Sequence, residues 1–195
     1  MFVVYKLCKT EQSAIRQREL ELALAEMMAI QRYEEITVSE FCSYVGIPRK
    51  AFYRYFSSKD GALHALIDHT MLEYERYRDP HSVLEDNGLL WMVESFYRFW
   101  QLQKPLLDAL AFSGLSGVLL ERAISAVETG TFLKGFKESE REFTQRQIGR
   151  FVVSGIMLMM ISWHHDGYRE SPRDMAEMTV RIITRPLLPY IQELF

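Results

Sequence analysis

Residues 46–59, "GIPRKAFYRYFSSK", set four cations (Arg49, Lys50, Arg54 and Lys59) among four aromatics (Phe52, Tyr53, Tyr55 and Phe56), with no acid between them. Side chains of these types at this spacing suit the capture of a polyanion. Arginine offers a planar fork of donors and lysine a point charge. A tyrosine hydroxyl can donate to a phosphate oxygen while its ring braces the fold. The patch is local, because the whole chain carries a formal charge of -3. Residues 1–60 hold 9 Lys/Arg against 8 Asp/Glu, and residues 61–195 hold 14 against 18. A concentrated ledge, not overall basicity, therefore has to account for any anionic partner.

Other constellations are weaker. His64 and Asp68, and His69 and Glu73, stand four residues apart on a helical pattern, but neither pair has a third ligand in sequence. His164 and His165 are adjacent, so a helix points them apart. No Gly-rich phosphate loop, G-x-S-x-G or H-E-x-x-H occurs, so neither catalysis nor a metal or cofactor is expected. Cys8 and Cys42 make no disulfide framework, which suits a reducing compartment. The start, "MFVVYKLCKT", lacks a basic n-region, and the apolar run Phe151–Trp163 is too short to span a bilayer. The expectation is a cytoplasmic protein with no membrane partner.

The elements that must position the ledge read with helical period throughout, so the expected fold is all-α with eight or nine helices. A first helix runs from about Gln12 to about Gln31 on a stripe of Leu20, Ala23, Leu24, Met27 and Met28. "TVSE" at Thr37–Glu40 is a capping box opening a second helix, whose apolar set is Val38, Phe41, Cys42 and Val45. Gly46 stops it, and Pro48 suits the first turn of a third. "SSKD" caps a fourth helix with a stripe of Leu63, Leu66, Ile67, Thr70, Met71 and Tyr74, ended by Asp79-Pro80. Further helices follow through Leu89–Trp100, from Pro105, over Val118–Glu128, and from about Glu142 to about His165, with "ETGTFLKGFKESE" read as a loop. "SPRD" caps the last helix, and Pro186 and Pro189 limit it. The expected divisions are an arm (1–11), a first domain (12–72) and a larger helical domain (73–195).

A short helix, a turn containing Gly46 and a helix starting at Arg49-Lys50 form a helix-turn-helix layout over about 37–56. If Ala51, Phe52 and Phe56 face inward, Arg49, Lys50, Tyr53 and Arg54 turn outward at the leading end of the third helix. Tyr53 and Tyr55 can reach phosphate oxygens, and Lys59 stands at the next helix start, where free amides favour anions. Double-stranded DNA is the expected partner. The plainer reading is a solvated basic helix, and the joint spacing of caps and turn argues against it.

The segment "ITVSEFCSYVGIPRKAFYRYFSSKDGALHALI" also resembles the DNA-binding segment of the tetracycline-repressor-like (TetR) family of regulators. The resemblance rests on Thr37-Val38, Phe41, Gly46-Ile47, Phe52-Tyr53, Tyr55-Phe56, Ser58-Lys59 and Leu63, and spans about 12–72. Pro48, Ala51 and Arg32 depart from the usual pattern. The resemblance implies that Thr37, Tyr53, Tyr55 and Lys59 hold phosphates. It also sets Arg49, Lys50 and Arg54 at the groove, with Arg49 or Arg54 the better readers of guanine. The stretch "WHHDGYRESPRDM" is similar to C-terminal regions of some TetR-like proteins, through Trp163, Gly167, Ser171-Pro172 and Met175.

For the larger domain the resemblance implies a homodimer on a near-palindromic operator, built on the last two long helices. The near-continuous apolar run Phe151–Trp163, Gly149 and Gly155, and a stripe of Met175, Met178, Thr179 and Ile182 are compatible with it; a monomer core is the alternative. It further implies a repressor released by a small-molecule effector. Trp91, Phe96, Phe99, Trp100, Phe112, Met157, Met160 and Trp163 would line an apolar or aromatic pocket, if they are not simply core. In the alternative reading, the C-terminal domain of a DNA-tethered regulator binds a partner protein.

Overall fold

The structure, a computed structural model, describes residues 5, 8, 10–77, 88–128 and 141–185. Among these the chain forms nine α-helices and one 3-10 turn, as the helical periodicity predicts. They are α1 (Glu11–Met28), α2 (Val38–Tyr44), α3 (Arg49–Tyr55), α4 (Lys59–Tyr77), α5 (Gly88–Leu102), α6 (Lys104–Phe112), α7 (Ser116–Glu128), α8 (Arg141–His165) and α9 (Pro172–Thr184), with the turn at Tyr33–Glu35. The expected Asp79-Pro80 break, the loop at 129–140, Pro186 and Pro189 lie outside the described residues.

Two compact units emerge. The first holds 1–73 with 104–122, and the second 74–103 with 123–195. The grouping of 104–122 with the first residues joins segments distant in sequence, which a linear division at 72/73 does not contain. In the first unit α1 buries Leu20, Leu24, Met27 and Met28, and packs on α6, whose Leu106, Leu107 and Leu110 are buried. Ala23 is half-buried. α1 ends at Met28, short of Gln31, and Ala29–Gln31 continue as overlapping turns. α4 buries Leu63, Leu66, Ile67, Thr70 and Met71.

A polar seam joins α1 to α4. The Glu21 carboxylate is fully buried, 2.8 Å from His69 Nδ1 and 3.2 Å from an Arg18 nitrogen. Arg18 also donates to Thr70 and Glu73. Asp68 accepts from Tyr5 at 2.8 Å and from Arg122 through two guanidinium nitrogens. The four side chains of the i, i+4 pairs are thus not gathered into one site: Asp68, His69 and Glu73 each serve a different neighbour. No group of three His, Cys, Asp or Glu among the described residues is arranged to hold a metal ion.

In the second unit α5 packs along α9 and also meets α8. Tyr97, wholly buried, shares a 2.8 Å hydrogen bond with Thr179, whose hydroxyl also donates to the Met175 carbonyl. The Trp163 ring stands edge-on to Tyr97 and Tyr168, and its Nε1 donates to the Glu170 carbonyl. The expected α9 stripe divides. Met175 and Thr179 are buried, whereas Met178 and Ile182 lie exposed on another face with Ile183. Among the described residues no single helix is long and apolar enough to cross a membrane.

Both expected capping boxes form. Thr37 and Ser171 each accept from the backbone three residues on, and Glu40 and Asp174 reach back. Those bonds, the hydroxyl's first, hold the Glu40 and Asp174 carboxyls below their ordinary values of 4.5 and 3.8. A carboxyl whose folded pKa lies below its unfolded one stabilises the fold above the unfolded value and loses that effect as pH falls through the folded one. Thermal midpoints followed from pH 5 downward should fall through this window, and Glu40→Gln or Asp174→Asn should each flatten part of the slope.

Candidate nucleic-acid interface

The ledge is built from the α2–α3 corner. α2 is seven residues long and enters from the Thr37 cap. Gly46 takes φ +68, a left-handed conformation that glycine adopts without strain. The chain reverses there, with the Ile47 amide donating back to Cys42 at 2.9 Å. Pro48 is not inside α3, as the first-turn reading has it. It is the capping residue in extended conformation, and its carbonyl accepts from Ala51 at 2.8 Å. Proline fits there because the position needs no amide donor and its fixed φ suits the extended cap.

Burial on one side of α3 decides what the other side shows. Phe52 is 1% exposed, edge-on to Phe41 at 5.6 Å and 5.3 Å from the Phe56 ring, which is itself fully buried. Ala51 and Tyr55 are half-buried. Arg49, Lys50, Tyr53 and Arg54 are all exposed. Arg49, Lys50 and Arg54 make no ion pair with any described residue, whereas Arg16, Arg18, Arg32 and Arg122 are each matched to a carboxylate. Uncompensated cations thus gather on this short helix. The Phe56 backbone also makes an antiparallel bridge to Tyr5, which fastens Tyr5 at the end of α3.

Two expected contacts have other duties. The Thr37 hydroxyl donates to Glu40 at 2.7 Å and accepts from the Glu40 amide at 3.2 Å. Lys59, half-buried, sends its ammonium to the carbonyls of Tyr33 at 2.6 Å and Ile36 at 2.7 Å, with the Tyr33 ring 4.2 Å away. Tyr33, Asp60 and Ser113, which complete that arrangement, do not stand out in the sequence. The one available signal is a lysine at the first position of a helix, where the dipole disfavours a cation.

The expected pocket residues differ in exposure and in unit. Trp91 is exposed on α5, and Phe112 is exposed and belongs to the first unit. Met157, Met160 and Trp163 are buried on α8. Phe96, Phe99 and Trp100 do meet, ring against ring, together with Tyr74. A separate surface cleft of about 240 Å³ is lined by Tyr77, Trp91, Glu94, Ser95 and Arg98.

The helical fold matches an established architecture. Residues 119–185 match the family model TetR_C_8, transcriptional regulator C-terminal region. Among solved structures, a tetR-family transcriptional regulator from Streptomyces coelicolor aligns over 87% of this chain and 79% of its own, at 17% identity and a TM-score of 0.51. The TetR family repressor AlkX from a Dietzia strain aligns over 89% and 94%, at 17% identity and 0.53. The fatty acid degradation regulator FadR from Bacillus halodurans aligns over 91% and 96%, at 14% identity and 0.57. The chain has the fold of the TetR-family transcriptional regulators. No curated protein matches the sequence.

An added Cβ at Gly46 meets nothing within 4 Å, so its replacement is costly through backbone conformation alone. Gly46→Ala should lower stability by about 1–2 kcal/mol, read as a reduced denaturation midpoint. Gly46→Asn should cost less, because asparagine tolerates the left-handed region.

Proposed function

We propose that this chain is a sequence-specific DNA-binding regulator that works as a homodimeric repressor on a near-palindromic operator. The observation that carries the reading is the row of unpaired cations on α3, backed by the buried Phe52 and Phe56. Arg49, Lys50 and Arg54 would lie at the major groove, with Arg49 or Arg54 reading guanine edges and Lys50 meeting a phosphate. Tyr53 and Tyr55 would donate to phosphates, and so would the first amides of α2 behind the Thr37 cap. The protein is a regulator and not an enzyme on this reading, with DNA and a second copy of itself as partners.

Dimerisation is supported by a face of α8 that the monomer leaves bare. Phe151 is 70% exposed and Leu158 54%, with the exposed Gly155 between them at helical spacing. Met178, Ile182 and Ile183 add exposed apolar surface on α9. One short helix supplies too few contacts for specificity, and pairing two of them fixes the half-site spacing. Release by a small apolar or aromatic effector completes the proposal, the meeting rings of Tyr74, Phe96, Phe99 and Trp100 being the surface such a molecule would part. AlkX is implicated in biodegradation of n-alkanes and FadR regulates fatty acid degradation. An acyl or alkyl chain is therefore the first effector class to test, by native mass spectrometry for retained ligand.

Selection of bound duplexes from a random pool tests the core of this reading, and a symmetric consensus is the expected result. Binding that neutralises about 6–10 phosphates should weaken by roughly 10³–10⁵-fold between 50 and 200 mM salt. Arg54→Ala should blur one position of the consensus, whereas Lys50→Ala should weaken every sequence alike. Loss of the dimer in sedimentation is expected for Phe151→Asp with Leu158→Asp, with helicity retained. Absence of duplex binding at low salt would remove the reading.

A further inference from the structure

Lys59 opens α4, yet the positive end of a helix dipole is an unfavourable place for a cation. Its environment offsets that. The ammonium has three donors, and two of them end on the carbonyls of Tyr33 and Ile36 at 2.6 and 2.7 Å. The Tyr33 ring lies 4.2 Å from the same nitrogen, within the range of a cation–π contact. Burial lowers the Lys59 pKa, while the nearby charges of Asp60, Glu34 and Glu40 act against that shift. A DNA phosphate approaching Lys59 would therefore meet three acids and an ammonium already engaged.

Tyr33 is held from three sides. Its carbonyl takes the Lys59 bond, and its hydroxyl donates to Asp60 at 2.6 Å. Burial, then that bond, pushes the hydroxyl pKa far above its ordinary value, so it remains a donor. Its backbone amide donates to the Ser113 hydroxyl at 3.0 Å. Ser113 sits in the turn after α6, which is closed by the bond from the Leu115 amide to the Leu110 carbonyl and by Gly114 at φ +69. Ile36, the second carbonyl partner, is the residue before the Thr37 cap. Fixing Ile36 fixes where α2 begins, and α2 orients α3 through Phe41 and Phe52.

We propose that Lys59 and Tyr33 are positioning residues that clamp the start of the helix-turn-helix to α4, and that Ser113 ties this clamp to the turn after α6. Lys59 then serves DNA recognition without touching DNA. The inference rests on the DNA-binding reading for its purpose, but not for its geometry. It links the turn after α6 to the reading helix by way of Tyr33, Lys59, Ile36 and α2, starting from one side-chain hydroxyl.

Two measurements on the full chain separate the possibilities. In hydrogen exchange without DNA, Lys59→Met should speed exchange across 33–45 and leave α9 unchanged. Ser113→Ala, a milder change, should speed exchange at the Tyr33 amide even if Lys59→Met folds poorly. In titrations against a pool of random-sequence duplexes, Lys59→Met should keep the wild-type salt slope, whereas Lys50→Met should lower it by about 1. Enrichment of the selected consensus over that pool should fall on the order of tenfold for Lys59→Met, the scale of one charged hydrogen bond. A salt slope lowered by about 1 with exchange at 33–45 unchanged would make Lys59 a phosphate contact and overturn the clamp. An unaltered Tyr33 amide in Ser113→Ala would overturn the tie. If the wild type ignores the duplex pool, the DNA reading fails while the exchange data still decide the clamp.

Discussion

The anchoring of α3 by Phe52 and Phe56 is the constraint on which the rest of this protein depends. A seven-residue helix has little stability of its own, because nucleation uses up most of what so few hydrogen bonds return. Two buried phenylalanines hold it in place, Phe52 against Phe41 and Phe56 against Phe52. The same burial commits the opposite side of the helix. With Phe52 inward, Arg49, Lys50, Tyr53 and Arg54 have nowhere to go but outward. Orientation and charge display are thus one physical event, and the hydrophobic contact comes first.

Charge compensation gives that display its meaning. Several cations of the first unit are matched internally: Arg16 to Glu19, Arg18 to Glu21 and Glu73, Arg122 to Asp68. The exposed Arg16–Glu19 pair contributes little stability, but each of these pairings removes a cation from competition for an anion. The three cations of α3 with no ion pair among the described residues stand out on a chain of formal charge -3. Such a pattern confines attraction for a polyanion to one face.

The second unit shows the complementary case, an excess of apolar surface. The Phe151–Trp163 part of α8 is apolar nearly all round. Its Met157, Met160 and Trp163 are spent inside the unit, and Phe151 and Leu158 are left facing out. A helix with two apolar faces leaves one of them uncovered here. The Tyr97–Thr179 bond and the Trp163 Nε1 bond to Glu170 lock the inward face, so the outward one cannot simply turn in.

Much of this was legible in the chain itself. Helical periodicity, the capping boxes at Thr37 and Ser171, the glycine at position 46 and the proline after Ser171 each act within a few residues, and each appears where local physics puts it. The outward face of α3 follows from the same short-range spacing. What the sequence could not settle depends on contacts between distant residues. It did not show that Lys59 would be occupied by two carbonyls 23 and 26 residues away. Nor did it show that Ser113 would reach Tyr33 across 80 residues, or that Trp100 and Trp163 would be core while Trp91 stayed at the surface. Residue type and period say which side of a helix is apolar or charged; only packing decides which partner that side meets, because a hydrogen bond or a buried ring is satisfied by proximity in space, not along the chain.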